Sequence, residues 1–117
     1  MDKREFLLII DESCKELLKK HNFLDSFKIT DLTKSLIINT GTFGPNKREI
    51  KEDANIKIDF YYLDKSDSSF ILRLQGDLLT ISSVGLSSKG SHTLKINTAP
   101  NEKILISSIK SIFEIYL

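Results

Sequence analysis

Two histidines, one cysteine and a serine-rich segment are the residues of this 117-residue chain whose types could do chemistry. His92 follows Ser87, Ser88, Lys89 and Ser91, so a Ser-His or Ser-Lys nucleophile centred on a His92 loop is one enzymatic reading. Such a device needs nucleophile, base and orienting group in fixed geometry, which a loop of small residues rarely supplies. Cys14 shares a helical stripe with Phe6, Ile10, Leu17 and Leu18, which predicts a buried, unreactive thiol. His21 falls at the end of the same helix, where positive charge complements the helix dipole. Three such residues far apart in sequence make a poor metal set, and no cofactor is expected.

Two glycine-containing segments have the composition of a phosphate cradle. Residues 85–91, Gly-Leu-Ser-Ser-Lys-Gly-Ser, hold the letters of a P-loop in the wrong order. Residues 41–44, Gly-Thr-Phe-Gly, follow a strand pattern, and neither segment leads into a helix whose N-terminus would meet an anion. Both read as turns, and the carboxylates of 49–53 read as a solvated charge run.

The chemistry, if it lies anywhere, therefore lies on a surface, and the elements that build it are legible between residues 55 and 84. Ile56, Ile58, Phe60 and Tyr62 alternate with Lys57, Asp59 and Tyr61, the period-two pattern of a half-buried strand. Residues 64–68 form a polar turn. A second strand over 69–75 sets Phe70, Leu72 and Leu74 against Ile71, Arg73 and Gln75. Gly76-Asp77 predicts a two-residue turn with glycine at positive φ, and a third strand follows over 78–84. A five-residue first turn pairs Leu63 with Ser69, Phe60 with Leu72 and Asp59 with Arg73, and makes Tyr61 and Ile71 cross-strand neighbours. The second turn pairs Leu74 with Leu79 and Leu72 with Ile81.

Around this meander, residues 2–21 read as an amphipathic helix capped by Asp2, with Asn22 as a left-handed residue beyond its end. Phe27 and Ile29 mark a short strand and 35–40 a fuller one. The charged tract 47–53 is open between strand, helical turn and loop. Residues 85–92 read as a loop and 93–97 as a strand. Thr98 caps a final helix with Leu105, Ile109, Ile112, Phe113 and Tyr116 on its apolar stripe. The expectation is a single α+β domain spanning 1–117. It has two layers: an antiparallel five- or six-stranded meander sheet with the N- and C-terminal helices packed on one face.

Composition narrows the partners. Hydrophobic residues make up 40% of the chain and charged residues 28%, which describes a globular chain rather than a disordered one. The net charge of +1 carries no clustered basic excess, so no nucleic acid is expected. No segment is apolar enough for a signal core or a membrane span, which points to a cytoplasmic protein without a membrane partner. Alanine occurs only at 54 and 99 and valine only at 84, the imprint of an A+T-rich, microbial coding sequence.

The face opposite the helices would carry Lys57, Asp59, Tyr61, Ile71, Arg73, Gln75, Thr80, Ser82 and Lys95. Aromatic and arginine side chains ringed by polar ones compose a protein-binding surface. The partner-binding set is Lys57, Asp59, Tyr61, Ile71, Arg73 and Gln75. The expected function is a small binding module, a bacterial immunity-type protein that neutralises a cognate toxin, present as a monomer or weak homodimer. A small-ligand or regulatory domain with a pocket between sheet and helices is the alternative, and an enzyme built on the His92 loop the second.

Overall fold

The computed structural model describes residues 1–33, 53–84, 90–96 and 101–117 in full, and the backbone of 35–39 and 47–51. In chain order the elements are α1 (Lys3–Lys20), β1 (Leu24–Asp31), β2 (Ser35–Asn39), β3 (Lys47–Lys51), β4 (Ala54–Tyr62), β5 (Asp67–Gln75), β6 (Leu78–Val84), β7 (Gly90–Lys95) and α2 (Glu102–Tyr116). Five strands form one antiparallel sheet in the order β1-β4-β5-β6-β7, while β2 and β3 pair only with each other. The charged tract thus resolves as a strand of a separate ribbon inserted between β1 and β4. Residues 41–44 and 85–89, read above as turn and loop, lie outside the described residues, as does residue 40, read as the end of a strand.

Both helices lie on one face of the sheet, and elementary topology makes them parallel. Successive antiparallel pairings leave β1 and β7 pointing the same way. α1 turns back into β1 and α2 turns back from β7, so each helix runs against its own edge strand. Their side chains confirm the direction: Glu16 meets Lys110 at 3.3 Å and Lys20 meets Glu114 at 3.0 Å. These partly exposed pairs are worth at most about 1 kcal/mol each. Apolar burial does the larger part. Phe6, Ile10, Cys14 and Leu17 from α1 and Leu105, Ile109 and Phe113 from α2 are buried against Ile56, Ile58, Phe60, Phe70, Leu72, Leu74, Leu79 and Ile81.

The caps follow local chemistry, with two corrections. Asp2 caps α1, its Oδ1 accepting the Glu5 N–H at 2.8 Å. The helix leaves through His21 in extended conformation (φ −116°), so Asn22 is not a left-handed cap. The reason is the immediate entry into β1, with the His21 carbonyl accepting the Leu24 N–H at 3.3 Å. α2 is capped by Asn101, whose Oδ1 accepts the Ile104 N–H at 3.0 Å, rather than by Thr98. Thr98 lies outside the described residues. Lys3 and Asp31 tie the start of α1 to the end of β1 at 2.9 Å. The Thr33 hydroxyl and Lys3 together hold the Asp31 carboxyl at about 2, below its ordinary range.

One hairpin keeps its expected register and the other does not. Gly76 takes φ +60° and the β5–β6 pairing sets Leu74 opposite Leu79 and Leu72 opposite Ile81, as the two-residue turn requires. The β4–β5 connection is a three-residue loop, Leu63-Asp64-Lys65, instead of five residues. Tyr62 N–H donates to the Ser66 carbonyl and Lys65 N–H to the Tyr62 carbonyl, both at 3.0 Å, and Lys65 takes φ +70°. This is a type I turn closed by a left-handed residue. Asp64 Oδ1 accepts from the Ser66 N–H and hydroxyl, which fixes Ser66 just ahead of β5, opposite Tyr62. Asp59 therefore faces Ser69, and Arg73 faces Asn55. The expected Asp59–Arg73 pair does not form, and Tyr61 and Ile71 are not cross-strand neighbours: Tyr61 faces Asp67 and Ile71 faces Lys57. The shift is an even number of residues, so every side chain keeps its face.

Cys14 is fully buried, and desolvation pushes its thiol well above the ordinary range. A thiol reagent should label it only through unfolding, so the labelling rate should rise with denaturant in step with loss of ellipticity. Fast labelling of the native protein would mean that α1 packs on another face.

Candidate functional site: the outer face of the sheet

Strand parity puts all six expected site residues on the face away from the helices. Across it the ladder aligns rows. Lys28, Asp59, Ser69 and Val84 form one, and Thr30, Lys57, Ile71, Ser82 and Ser91 the next. Asn55, Arg73, Thr80 and Thr93 form a third. Asp59 accepts the Ser69 hydroxyl at 2.5 Å and has Lys57 Nζ at 3.6 Å, so this charge is largely neutralised within the face. Lys28 stands directly across from it on β1.

The other half of the face differs. Arg73 and Gln75 are exposed, and with Ile71, Leu78, Thr80, Ser82 and Val84 they line a shallow hollow of about 420 Å³ between β5 and β6. Tyr61, Leu78 and Val84 are each roughly two-fifths exposed at 37%, 41% and 42%, large apolar side chains that the core does not use. Leu78 and Val84 were absent from the expected set. The signal was present, since both share parity with Thr80 and Ser82 in β6. The hollow thus joins a cation and hydrogen-bonding groups to apolar walls on a rigid, helix-backed sheet.

The alternative chemistries find a different arrangement. His92 is not in a loop; it lies on β7, facing the helices, with Nε2 2.9 Å from the Tyr116 hydroxyl. Ser91 points to the opposite face, where the Ser82 hydroxyl donates to its Oγ at 3.3 Å. Alternation in a strand therefore separates the serine from the histidine it was expected to join. Ser87, Ser88 and Lys89 lie outside the described residues. His21 ends α1 with Nε2 3.6 Å from Glu114 Oε2, and the hydrogen bond from Lys20 holds the Glu114 carboxyl below its usual range. Among the described residues no three His, Cys, Asp or Glu side chains converge to hold a metal. No described helix is long and apolar enough to cross a membrane.

Between sheet and helices the interior is filled by Phe60, Phe70 and Phe113, and open space lies at the two ends of the helix pair. One hollow of about 310 Å³ is bounded by Met1, Glu5, Ile9, Ile96 and Leu105. The other, about 680 Å³, lies among Phe23, Tyr62, Leu63, Asp64, Tyr116 and Leu117. Among the described residues a further hollow of about 390 Å³ lies along the helix pair, lined by Glu12, Glu16, Ile106 and Lys110. No known protein family, no curated protein and no solved structure matches the chain, so the site is characterised by its own geometry.

Proposed function

We propose that this protein acts by binding another protein through the outer face of its five-stranded sheet, as a bacterial immunity-type protein that neutralises a cognate toxin by direct contact. The observation that carries the reading is the hollow between β5 and β6. Arg73, Gln75 and Thr80 sit there beside exposed Leu78 and Val84, with Tyr61 on the same face. Tyrosine and arginine dominate binding energy in such settings, because each offers apolar area and directional hydrogen bonds together. The charges already satisfied within the face, Asp59 and Lys57, belong to its rim and set orientation more than affinity.

The test is affinity capture from the source organism, calorimetry with the captured partner, and growth assays with the partner co-expressed. Tyr61→Ala or Arg73→Ala should weaken binding by about 2 kcal/mol or more, roughly thirtyfold. Stability should change little, since both side chains lie outside the core. Capture of no partner, together with loss of a measurable turnover in His92→Ala, would overturn the binding reading.

A further inference from the structure

One hollow joins aromatic rings to an unpaired carboxylate. It lies where α1 turns into β1 beside the β4–β5 turn, with a volume of about 680 Å³. Phe23, Tyr62, Tyr116, Leu63 and Asp64 belong to its lining, which among the described residues holds no lysine, arginine or histidine. The hollow along the helix pair differs, since Glu16 and Lys110 neutralise each other there at 3.3 Å.

Local structure holds these walls in place. The Leu63 N–H donates to the Phe23 carbonyl at 3.0 Å, which ties the α1–β1 connection to the β4–β5 turn. The Phe23 ring stands 5.7 Å from that of Tyr62, tilted by 31°. Tyr62 is held at its far end by a 2.7 Å hydroxyl bond to Ser68, and Tyr116 by its bond to His92. The acid is equally fixed. Asp64 uses Oδ1 for the Ser66 N–H and hydroxyl, which leaves Oδ2 open. Those bonds hold its carboxyl below the ordinary range, with no cation of the described residues contributing. Lys65, its neighbour in sequence, does not line the hollow, and Lys20 at the end of α1 is taken by Glu114.

We infer that this hollow binds a small organic cation, an alkylammonium whose charged head meets Asp64 while its stem lies against Phe23, Tyr62 and Leu63. The choice of ligand rests on charge and on ring chemistry together. The face of an aromatic ring is the negative part of its quadrupole and attracts a cation, as the carboxylate does. Both features of the lining therefore select the same sign. Phe23 and Leu63, 46% and 64% exposed, supply apolar area that the core does not use. A volume of about 680 Å³ falls in the range of small-molecule sites. The inference does not depend on what the outer face of the sheet binds, because Tyr62 and Ser68 have the opposite parity.

Amide chemical shifts of the intact, isotope-labelled chain test this at neutral pH with three probes that share one stem: hexylammonium, hexanol and hexanoate. Hexylammonium should move the amides of Phe23, Leu63, Asp64 and Ser66 and bind at about millimolar strength, the range open to so few atoms. Hexanol should bind about tenfold more weakly, having neither the charge pair nor the cation–ring attraction, and hexanoate more weakly still. Asp64→Asn keeps an acceptor for Ser66 and removes the charge, so the preference for ammonium over alcohol should fall to about threefold or less. Phe23→Leu keeps apolar surface and removes a ring face, and should weaken the ammonium about threefold with little effect on hexanol. Both variants should keep the wild-type spectrum away from the hollow, which separates a lost site from a lost fold. The inference is overturned if the three probes bind the wild type alike, if hexylammonium leaves these amides unmoved, or if its preference survives Asp64→Asn unchanged. If an acetylated Gly-Lys-Gly amide binds there more tightly than hexylammonium, the hollow takes a lysine side chain of another protein, and the small-cation assignment fails.

Discussion

Phe113→Ala should cost about 3–5 kcal/mol, the usual penalty for emptying a buried phenylalanine site. Phe113 is fully buried and stands at the junction of α2 with two strands. Its ring centroid lies 4.6 Å from that of Phe70 and 5.4 Å from that of Phe60, and those two lie 5.8 Å apart at 83°. The three rings form edge and tilted contacts, which add to the area they remove from water. A cavity there cannot be filled by local collapse, because Phe60 and Phe70 are fixed on a hydrogen-bonded sheet. A domain of this size has only about 5–15 kcal/mol in total, so the variant should lose roughly a fifth or more of its stability. Urea unfolding followed by far-ultraviolet ellipticity measures it. Phe23→Ala provides the contrast: Phe23 is 46% exposed, and its removal should cost under about 1 kcal/mol. Equal losses for the two would show that α2 is not docked through Phe113.

Gly90→Ala should destabilise by about 1–3 kcal/mol through overpacking, although the added group is one methyl. The backbone at Gly90 is not in the left-handed region, so the requirement is space rather than conformation. A Cβ built there overlaps the Tyr116 hydroxyl and stands 2.5 Å from Cζ of the same ring. The ring must swing away, which breaks its 2.9 Å hydrogen bond to His92 Nε2 and its edge contact with Phe70 at 6.3 Å. Both contacts fasten the last turn of α2 to the sheet. The mechanism predicts strong non-additivity. Tyr116→Ala alone should cost a similar amount, and adding Gly90→Ala to it should cost almost nothing more. Additive losses in that double-mutant cycle, measured by thermal unfolding, would exclude the clash as the cause.

What the chain specified by itself is the set of faces. Period-two alternation in β4, β5 and β6 assigned Ile58, Phe70 and Ile81 inward and Lys57, Ile71 and Arg73 outward. Helical spacing placed Phe6, Cys14, Ile109 and Phe113 against the sheet. These assignments held because they rest on local geometry, in which a residue's neighbours two or four positions away share its side. Gly76 held for the same reason, since a two-residue turn leaves one register. The β4–β5 register was not legible. Three-residue and five-residue turns both keep the apolar face intact, so alternation cannot separate them, and only the Asp64–Ser66 bonds of the folded turn do. The outer-face residues survived that error, but their neighbours across β4 changed: Arg73 gained Asn55 in place of Asp59, while Thr80 stays opposite it on β6. The position of β1 beside β4, across an inserted ribbon, and the parallel course of the two helices are long-range outcomes of strand order. So is the turning of His92 toward Tyr116. Strand parity sent that imidazole to the core side and Ser91 to the other, a separation that becomes visible only once residues 90–92 are known to belong to the strand and not to the loop before it.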